Sequence, residues 1–256
     1  MSESRVIDAG RRRLRVVEGG DPRGFPVLVH MGTPTSGLLF GPHVRVAEAC
    51  GIRLVSYDRP GYGESTPRPG RTLADSAEDV AAVAEALGIG RLGVWGFSGG
   101  PPHGLAAAAR LPKLVVGAVA LASPAPGVWS GTEDDYDASR RDMLALSVED
   151  WRERLKPEHA PFAEFAVETL RIALATSAEG WREDEAALES DWGFELEELR
   201  VPVRLRHGRA DAAVPIENGE LLAARPPNVE AEFSDGGHQD VLFRDPEPDF
   251  RWLASL

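Results

Sequence analysis

Short apolar runs recur along the chain, separated by longer segments in which apolar residues have helical spacing. Runs that suit buried strands cover 27–30, 52–56, 92–95, 114–122, 201–206 and 229–233. Segments that suit helices cover 38–49, 73–87, 105–110, 216–224 and 248–255. Before them, residues 5–18 read as two short strands around Ala9-Gly10. Strands that alternate with helices of this length predict an α/β fold, with a parallel sheet covered on both faces.

This alternation stops between residues 128 and 194, where no strand-like run occurs. Apolar residues there recur at helical spacing, as Phe162, Phe165 and Leu170 do. We therefore predict a core domain made of residues 1–127 and 195–256, interrupted by a helical cap of residues 128–194. Such an insertion would lie over the carboxyl ends of the strands, where open α/β sheets bind ligands.

Composition limits the kind of partner. The 256-residue chain has a formal net charge of −13, which disfavours nucleic acid and anionic membranes as partners. No apolar run approaches the roughly 18 to 20 residues that span a bilayer. Cys50 is the single cysteine, so no disulfide forms within the chain, and we expect a cytoplasmic protein. Metal-ligand spacings and nucleotide-binding glycine patterns are both missing, so we expect no metal and no cofactor.

The most informative motif is Gly96-Phe97-Ser98-Gly99-Gly100, which reads G-x-S-x-G. An apolar strand precedes it and an alanine-rich helix follows it. A serine on such a strand-to-helix turn exposes its hydroxyl beside a helix N-terminus. By itself the pentapeptide is equally compatible with a helix N-cap followed by a glycine-rich turn. Its interpretation therefore depends on the residues that follow the other strands.

Asp211 and His238 follow two later strands, so the candidate residues occur in the order Ser98, Asp211, His238. A serine hydroxyl is a weak nucleophile and needs a base within hydrogen-bond reach. Histidine can take the serine proton and later return it to the leaving group. A carboxylate can fix the histidine tautomer and stabilise the imidazolium. The observed chain order is one that accompanies a nucleophilic serine on a G-x-S-x-G turn.

Four segments together resemble the α/β-hydrolase superfamily over nearly the whole chain. They are His30-Met31-Gly32-Thr33-Pro34, Asp58-Arg59-Pro60-Gly61-Tyr62-Gly63-Glu64-Ser65, the serine motif, and His207-Gly208-Arg209-Ala210-Asp211 together with Gly236-Gly237-His238. The chain is similar to the branch of esterases, haloperoxidase-like enzymes without a metal, proline iminopeptidases and carbon–carbon bond hydrolases. The resemblance implies an α/β-hydrolase fold, in which a mostly parallel sheet is flanked by helices and carries a helical cap. It also implies that Ser98 is the nucleophile, His238 the base and Asp211 its acidic partner.

The resemblance also implies an oxyanion hole, a set of backbone N–H groups that stabilises the negative oxygen of the intermediate. One donor would be Gly99, directly after the nucleophile. The other would come from the loop at Gly32 and Thr33, which we favour over Met31.

Some residues compete for these roles or have simpler interpretations. Asp235 is the main rival to Asp211, because it lies three residues before His238, whereas Asp240 is too close to orient the ring easily. The histidines at 43 and 159 are expected at the surface. We interpret Asp58 and Arg59 as parts of a structural turn beneath the active-site loops.

Pro101 and Pro102 depart from the family pattern, which usually has a small residue after the second motif glycine. Proline is tolerated in the first turn of a helix, because the N–H groups there lack partners within the helix. Pro102 lies about four residues beyond Ser98, where it could distort the turn, so we expect an unusual pocket shape. Neither proline removes the N–H of Gly99, and activity is therefore expected to be retained.

The sequence leads to the hypothesis of a serine hydrolase. It would cleave a small or medium acyl substrate, preferably a carboxylic ester, through an acyl-enzyme on Ser98. The serine motif differs from the Gly-Gly-Ser-Trp-Gly of proline iminopeptidases, which disfavours peptidase activity. The alternative is a small-molecule binder, lyase or cyclase that uses the same fold with a repurposed triad.

Overall fold

An eight-stranded sheet forms the centre of the computed structural model, which describes residues 3–128 and 133–256. The strands are β1 (Glu3–Ala9), β2 (Arg12–Gly20), β3 (Phe25–His30), β4 (Ile52–Tyr57), β5 (Leu92–Phe97), β6 (Val115–Leu121), β7 (Val203–Gly208) and β8 (Val229–Ser234). Their spatial order is β1-β2-β4-β3-β5-β6-β7-β8. β2 runs antiparallel to β1 and β4, and the remaining neighbours are parallel. This confirms the predicted mostly parallel sheet.

Helices of the core cover both faces of this sheet. They are α1 (Gly41–Ala49), α2 (Ser76–Leu87), α3 (Pro101–Arg110), α8 (Ile216–Ala224), α9 (His238–Leu242) and α10 (Glu247–Ser255). Side chains alternate between the faces of a strand, so consecutive residues of β5 enter different layers. Val94 packs in the cluster that holds Leu105 of α3, whereas Trp95 lies against Phe250 of α10. The predicted flanking helices are therefore confirmed.

A run of helices occupies the chain between β6 and β7. They are α4 (Tyr136–Ala145), α5 (Val148–Arg154), α6 (Phe162–Ala173) and α7 (Glu179–Glu189). We call residues 133–194 the insertion; positions 129–132 of the predicted cap lie outside the described residues. Within the described ranges, no helix is both long and apolar enough to cross a bilayer.

The insertion rests on loops that follow the parallel strands. Thr169 of α6 hydrogen-bonds with Ser36 in the loop after β3, with 2.9 Å between the hydroxyl oxygens. Farther along, α7 approaches the loop after β4 so closely that a Cβ on Gly180 would lie 2.6 Å from the carbonyl carbon of Gly61. Such an approach requires glycine, because any side chain would collide with backbone. The insertion therefore lies at the carboxyl edge of the sheet.

Two histidines predicted at the surface are buried, with 7% of each exposed. His43 turns toward the sheet and packs edge-on against Trp95, with 5.4 Å between ring centroids. His159 stacks on Phe243 at 4.0 Å. The surface prediction was wrong because both imidazoles contribute a flat apolar ring to an aromatic contact.

Candidate active site

Ser98 occupies a strained turn between β5 and α3. Its φ is 59°, in the left-handed region that non-glycine residues rarely adopt. The flanking backbone leaves no room for side chains: a Cβ on Gly96 would lie 2.8 Å from the nitrogen of Pro101, and one on Gly100 would lie 2.0 Å from the carbonyl oxygen of His30. The two motif glycines therefore allow the sharp turn that presents the serine hydroxyl.

The two prolines after the motif form the beginning of α3. Pro101 and Pro102 occupy its first turn, where a missing N–H leaves no helical hydrogen bond unmade. The helix then continues to Arg110 without a break. The turn at Ser98 thus coexists with both prolines.

Ser98, His238 and Asp211 form a continuous hydrogen-bonded chain. His238 Nε2 lies 2.9 Å from Ser98 Oγ, and His238 Nδ1 lies 2.7 Å from Asp211 Oδ2. Because the carboxylate only accepts, Nδ1 carries the proton and Nε2 is left to accept from the serine hydroxyl. The structure thus brings together the three side chains that were predicted to cooperate.

Asp211 is held by its own loop after β7. One carboxylate oxygen, Oδ1, accepts from the backbone N–H groups of Ala213 (2.9 Å) and Val214 (2.8 Å), which leaves Oδ2 for His238. The rival carboxylate Asp235 is exposed at the surface. The acid in contact with the histidine is therefore Asp211.

Asp240, two residues after His238, bonds to groups other than the His238 ring. Its Oδ2 accepts from the N–H of Gly237 at 2.7 Å, and its Oδ1 pairs with Lys156 of the insertion at 2.6 Å. Asp240 therefore braces the loop that carries His238 against the insertion, a contact that sequence reasoning missed.

The predicted oxyanion residues surround the serine. A Cβ on Gly32 would lie 3.4 Å from Ser98 Oγ, and a Cβ on Gly99 would lie 3.3 Å from the backbone nitrogen of Thr33. Among the described residues, the N–H groups of these three positions have no hydrogen-bond acceptor. The loop after β3 and the turn after β5 thus meet beside the hydroxyl.

Arg59 holds the same loop from the opposite side. Its Nη1 donates to the carbonyl oxygen of Met31 (2.8 Å) and its Nη2 to that of Gly32 (3.2 Å). The guanidinium also pairs with Asp184 of α7, through Nε at 2.8 Å and Nη2 at 2.7 Å. Arg59 thus connects the loop after β3 to the insertion, a contact that sequence reasoning missed.

A second Ser–His–Asp set lies buried behind this loop. Ser76 Oγ is 2.7 Å from His103 Nδ1, and His103 Nε2 is 3.5 Å from Asp184 Oδ1. Burial lowers the pKa of His103 well below its ordinary value, so this imidazole is neutral. Burial opposes the charge of Asp184, but Arg59 and Arg71 outweigh it and hold the pKa of that carboxyl well below its usual range. All three side chains are nearly inaccessible to solvent, which argues against Ser76 as a nucleophile.

No metal centre accompanies either set: within the part of the chain that the structure describes, no cluster of three or more His, Cys, Asp or Glu side chains could hold an ion.

A serine turn at the centre of a mostly parallel sheet, with an acid and a histidine on later loops, is the arrangement of an α/β-fold hydrolase. The family model for the alpha/beta hydrolase fold matches residues 26–245, and the chain belongs to this family. The resemblance inferred from the sequence is thereby confirmed.

Individual relatives are similar at moderate identity. A bifunctional esterase/perhydrolase from Acinetobacter calcoaceticus is 28% identical over 215 residues, covering 77% of this chain and 78% of its own. A non-heme chloroperoxidase from Streptomyces lividans is 27% identical over 228 residues, covering 80% and 82%. The solved structure of an alpha/beta hydrolase fold protein from Nakamurella multipartita superposes with a TM-score of 0.75 at 25% identity, covering 99% and 98%.

Proposed function

We propose that this hydrolase is a serine esterase that acts on carboxylic esters with a small or medium acyl group. The observation that carries the proposal is the hydrogen-bonded chain from Asp211 through His238 to Ser98, whose hydroxyl stands on a strained turn. The name of the Acinetobacter relative includes esterase activity, which supports an ester as the substrate class.

The reaction would proceed in two halves. Ser98 Oγ attacks the ester carbonyl carbon while His238 Nε2 takes its proton, and the resulting tetrahedral intermediate collapses to an acyl-enzyme. The alkoxide leaves with the proton from His238. Water then attacks the acyl carbon as His238 takes one of its protons, and Ser98 departs with that proton as the free acid is released. Asp211 remains ionised and stabilises the imidazolium in both halves.

The negative oxygen of each intermediate needs donors that are already in place. We propose the N–H of Gly99 and that of Thr33 as these donors, with Gly32 as the alternative in the same loop. Their position around Ser98 Oγ and their lack of acceptors among the described residues support this assignment.

We further propose that residues 128–194 serve as a cap over the site. The insertion contacts the loops that follow β3 and β4, and Lys156 of the insertion pairs with Asp240, two residues after His238. Gly32 in the loop after β3 and His238 both lie against Ser98. Residues of the cap would then shape the space for the acyl group.

Labelling with a fluorophosphonate probe tests the nucleophile. The wild-type protein should be labelled at Ser98, and Ser98→Ala should not be labelled. Ser76→Ala is the matched control, because it removes the serine of the buried set and should label like wild type. If Ser98→Ala were still labelled and Ser76→Ala were not, the assignment would be overturned.

A panel of p-nitrophenyl esters from acetate to decanoate tests the substrate class. We expect hydrolysis to be strongest for short or medium chains and to disappear in Ser98→Ala and His238→Ala. Folded wild-type protein that hydrolyses no ester and takes no label would contradict the proposal. Product formation that persists in both variants would instead favour a binder, lyase or cyclase.

A further inference from the structure

The cap carries one buried carboxylate that enters the core of the molecule. Asp184 of α7 is fully buried. Its side-chain contacts include Thr33, Arg59 and Arg71 from segments before β5, and His103 of α3. Its Oδ2 accepts from Thr33 Oγ1 at 3.1 Å and from Arg59, while its Oδ1 accepts from Arg71 at 2.5 Å. Contacts within the cap do not explain a charged group at this depth.

The geometry of the peptide unit links Arg59 to the oxyanion loop. The carbonyl of Met31 shares a planar peptide with the N–H of Gly32, and the carbonyl of Gly32 shares one with the N–H of Thr33. In a trans peptide the C=O and N–H point in opposite directions. By binding both carbonyl oxygens, Arg59 turns both candidate N–H donors away from itself.

Arg59 in turn depends on Asp184. A buried guanidinium without a counter-ion is strongly unfavourable, and two N–H groups of Arg59 converge on the same carboxylate oxygen. The hydroxyl of Thr33 lies between the two, accepting from Arg59 Nη2 at 3.1 Å and donating to Asp184. The carboxylate thus fixes the loop directly through Thr33 and indirectly through Arg59.

We infer that Asp184 is a positioning residue for catalysis, which holds the oxyanion loop in its working geometry when the cap is seated. The inference rests on the proposed esterase function. Asp184 itself does not touch the reacting atoms.

The inference predicts a specific kinetic signature. Oxyanion donors act on charge that develops in the transition state, so their misplacement lowers kcat more than it raises KM. Loss of a whole donor costs about 100- to 1,000-fold in kcat. A displaced loop should therefore lower kcat by about 10- to 100-fold, with KM changed less than about threefold.

The test compares Asp184→Asn with Glu185→Gln on a p-nitrophenyl ester that wild type hydrolyses. Glu185 is the next residue of α7, but among the described residues its carboxylate hydrogen-bonds only with Tyr136 and Trp181, both within the cap. Both variants are assayed well below their unfolding temperatures. We expect kcat to fall in Asp184→Asn and to stay at the wild-type value in Glu185→Gln. A folded Asp184→Asn protein with kcat within twofold of wild type would overturn the inference, because a purely structural role predicts lower stability and unchanged kcat.

A second pair covers the case in which Asp184→Asn does not fold. Thr33→Val keeps the side-chain volume and loses the hydroxyl link to Asp184, whereas Thr33→Ser keeps the hydroxyl. We expect kcat to fall severalfold in the valine variant and to be largely retained in the serine variant. Equal kcat values in the two variants would overturn the inference.

The outcome for wild type separates this inference from the function on which it rests. If wild type is neither labelled at Ser98 nor active on esters, the proposed function fails and the role of Asp184 fails with it. If wild type is active and both variant pairs keep kcat, only the positioning role fails.

Discussion

The molecule contains two Ser–His–Asp sets that share residue types and differ in nearly everything else. In the set of Ser98, the acid binds Nδ1 of the imidazole and the serine faces Nε2. In the buried set, Ser76 faces Nδ1 of His103, and Asp184 lies on the Nε2 side at 3.5 Å. One serine stands on a strained turn, and the other begins the helix α2.

The two sets also differ in how their surroundings would affect proton transfer from the serine. Asp211 has one oxygen committed to backbone N–H groups and the other free to stabilise an imidazolium. Asp184 already pairs with two arginines, and burial keeps His103 neutral. Placing a proton on His103 is therefore energetically unfavourable. The buried set joins helices and loops, whereas the arrangement of Ser98, His238 and Asp211 suits the proton transfer that we propose.

The largest expected effect comes from His238, the histidine of the Ser98 set. His238→Ala should lower kcat about 10⁵-fold or more, because no base remains to take the Ser98 proton. Steady-state hydrolysis of the best ester in the panel measures this loss. If activity fell less than about tenfold, the two sets would have to be reassigned.

Asp211→Asn should have the next largest effect. The amide keeps the shape of the side chain but no longer stabilises the imidazolium or fixes its tautomer, so kcat should fall about 10³- to 10⁴-fold. The rate of fluorophosphonate labelling gives an independent measurement. Asp235→Asn serves as the control and should label like wild type, since that carboxylate is exposed at the surface.

Ser76→Ala should affect stability and leave catalysis intact. It leaves His103 Nδ1 buried without its 2.7 Å partner, which costs about 1–3 kcal/mol of unfolding free energy. Urea denaturation measures this loss, and kcat should stay within twofold of wild type. A large loss of kcat with unchanged stability would give the buried set a catalytic part.

The smallest effect concerns the carboxylate next to Asp184. Burial raises the pKa of Glu185 to about 7, above its ordinary value of 4.5, whereas the arginines keep Asp184 ionised. A raised pKa in the folded state means that Glu185 contributes stability below about pH 4.5 and loses that contribution as the pH rises through about 7.

Measurement of the free energy of unfolding at pH 5 and pH 8 tests whether Glu185 titrates between these two pH values. The decline between the two pH values should be smaller in Glu185→Gln than in wild type. An identical decline in both proteins would show that Glu185 does not titrate in this range.

The sequence predicted the sheet and the residues around Ser98 because each of them obeys a local signal. Ser98 lies in a motif, while Asp211 and His238 each follow an apolar strand run. Asp184 has no such signal, since it is one acid among many in an acidic helix and acquires its partners only through the tertiary fold. The short helix that begins at His238 was also missed, because five residues contain too little periodicity.

The backbone contact between Gly61 and Gly180 restricts how this chain can be recombined with its relatives. A chimaera that received the insertion of a relative would need glycine at the position of Gly180, since a Cβ there would lie 2.6 Å from the Gly61 carbonyl carbon. It would also need an acid at the position of Asp184, or Arg59 and Arg71 would be left with unpaired buried charges. Exchange of the insertion in this enzyme therefore has to preserve two positions four residues apart on one helix, and libraries that vary the rest of the insertion should keep those two unchanged.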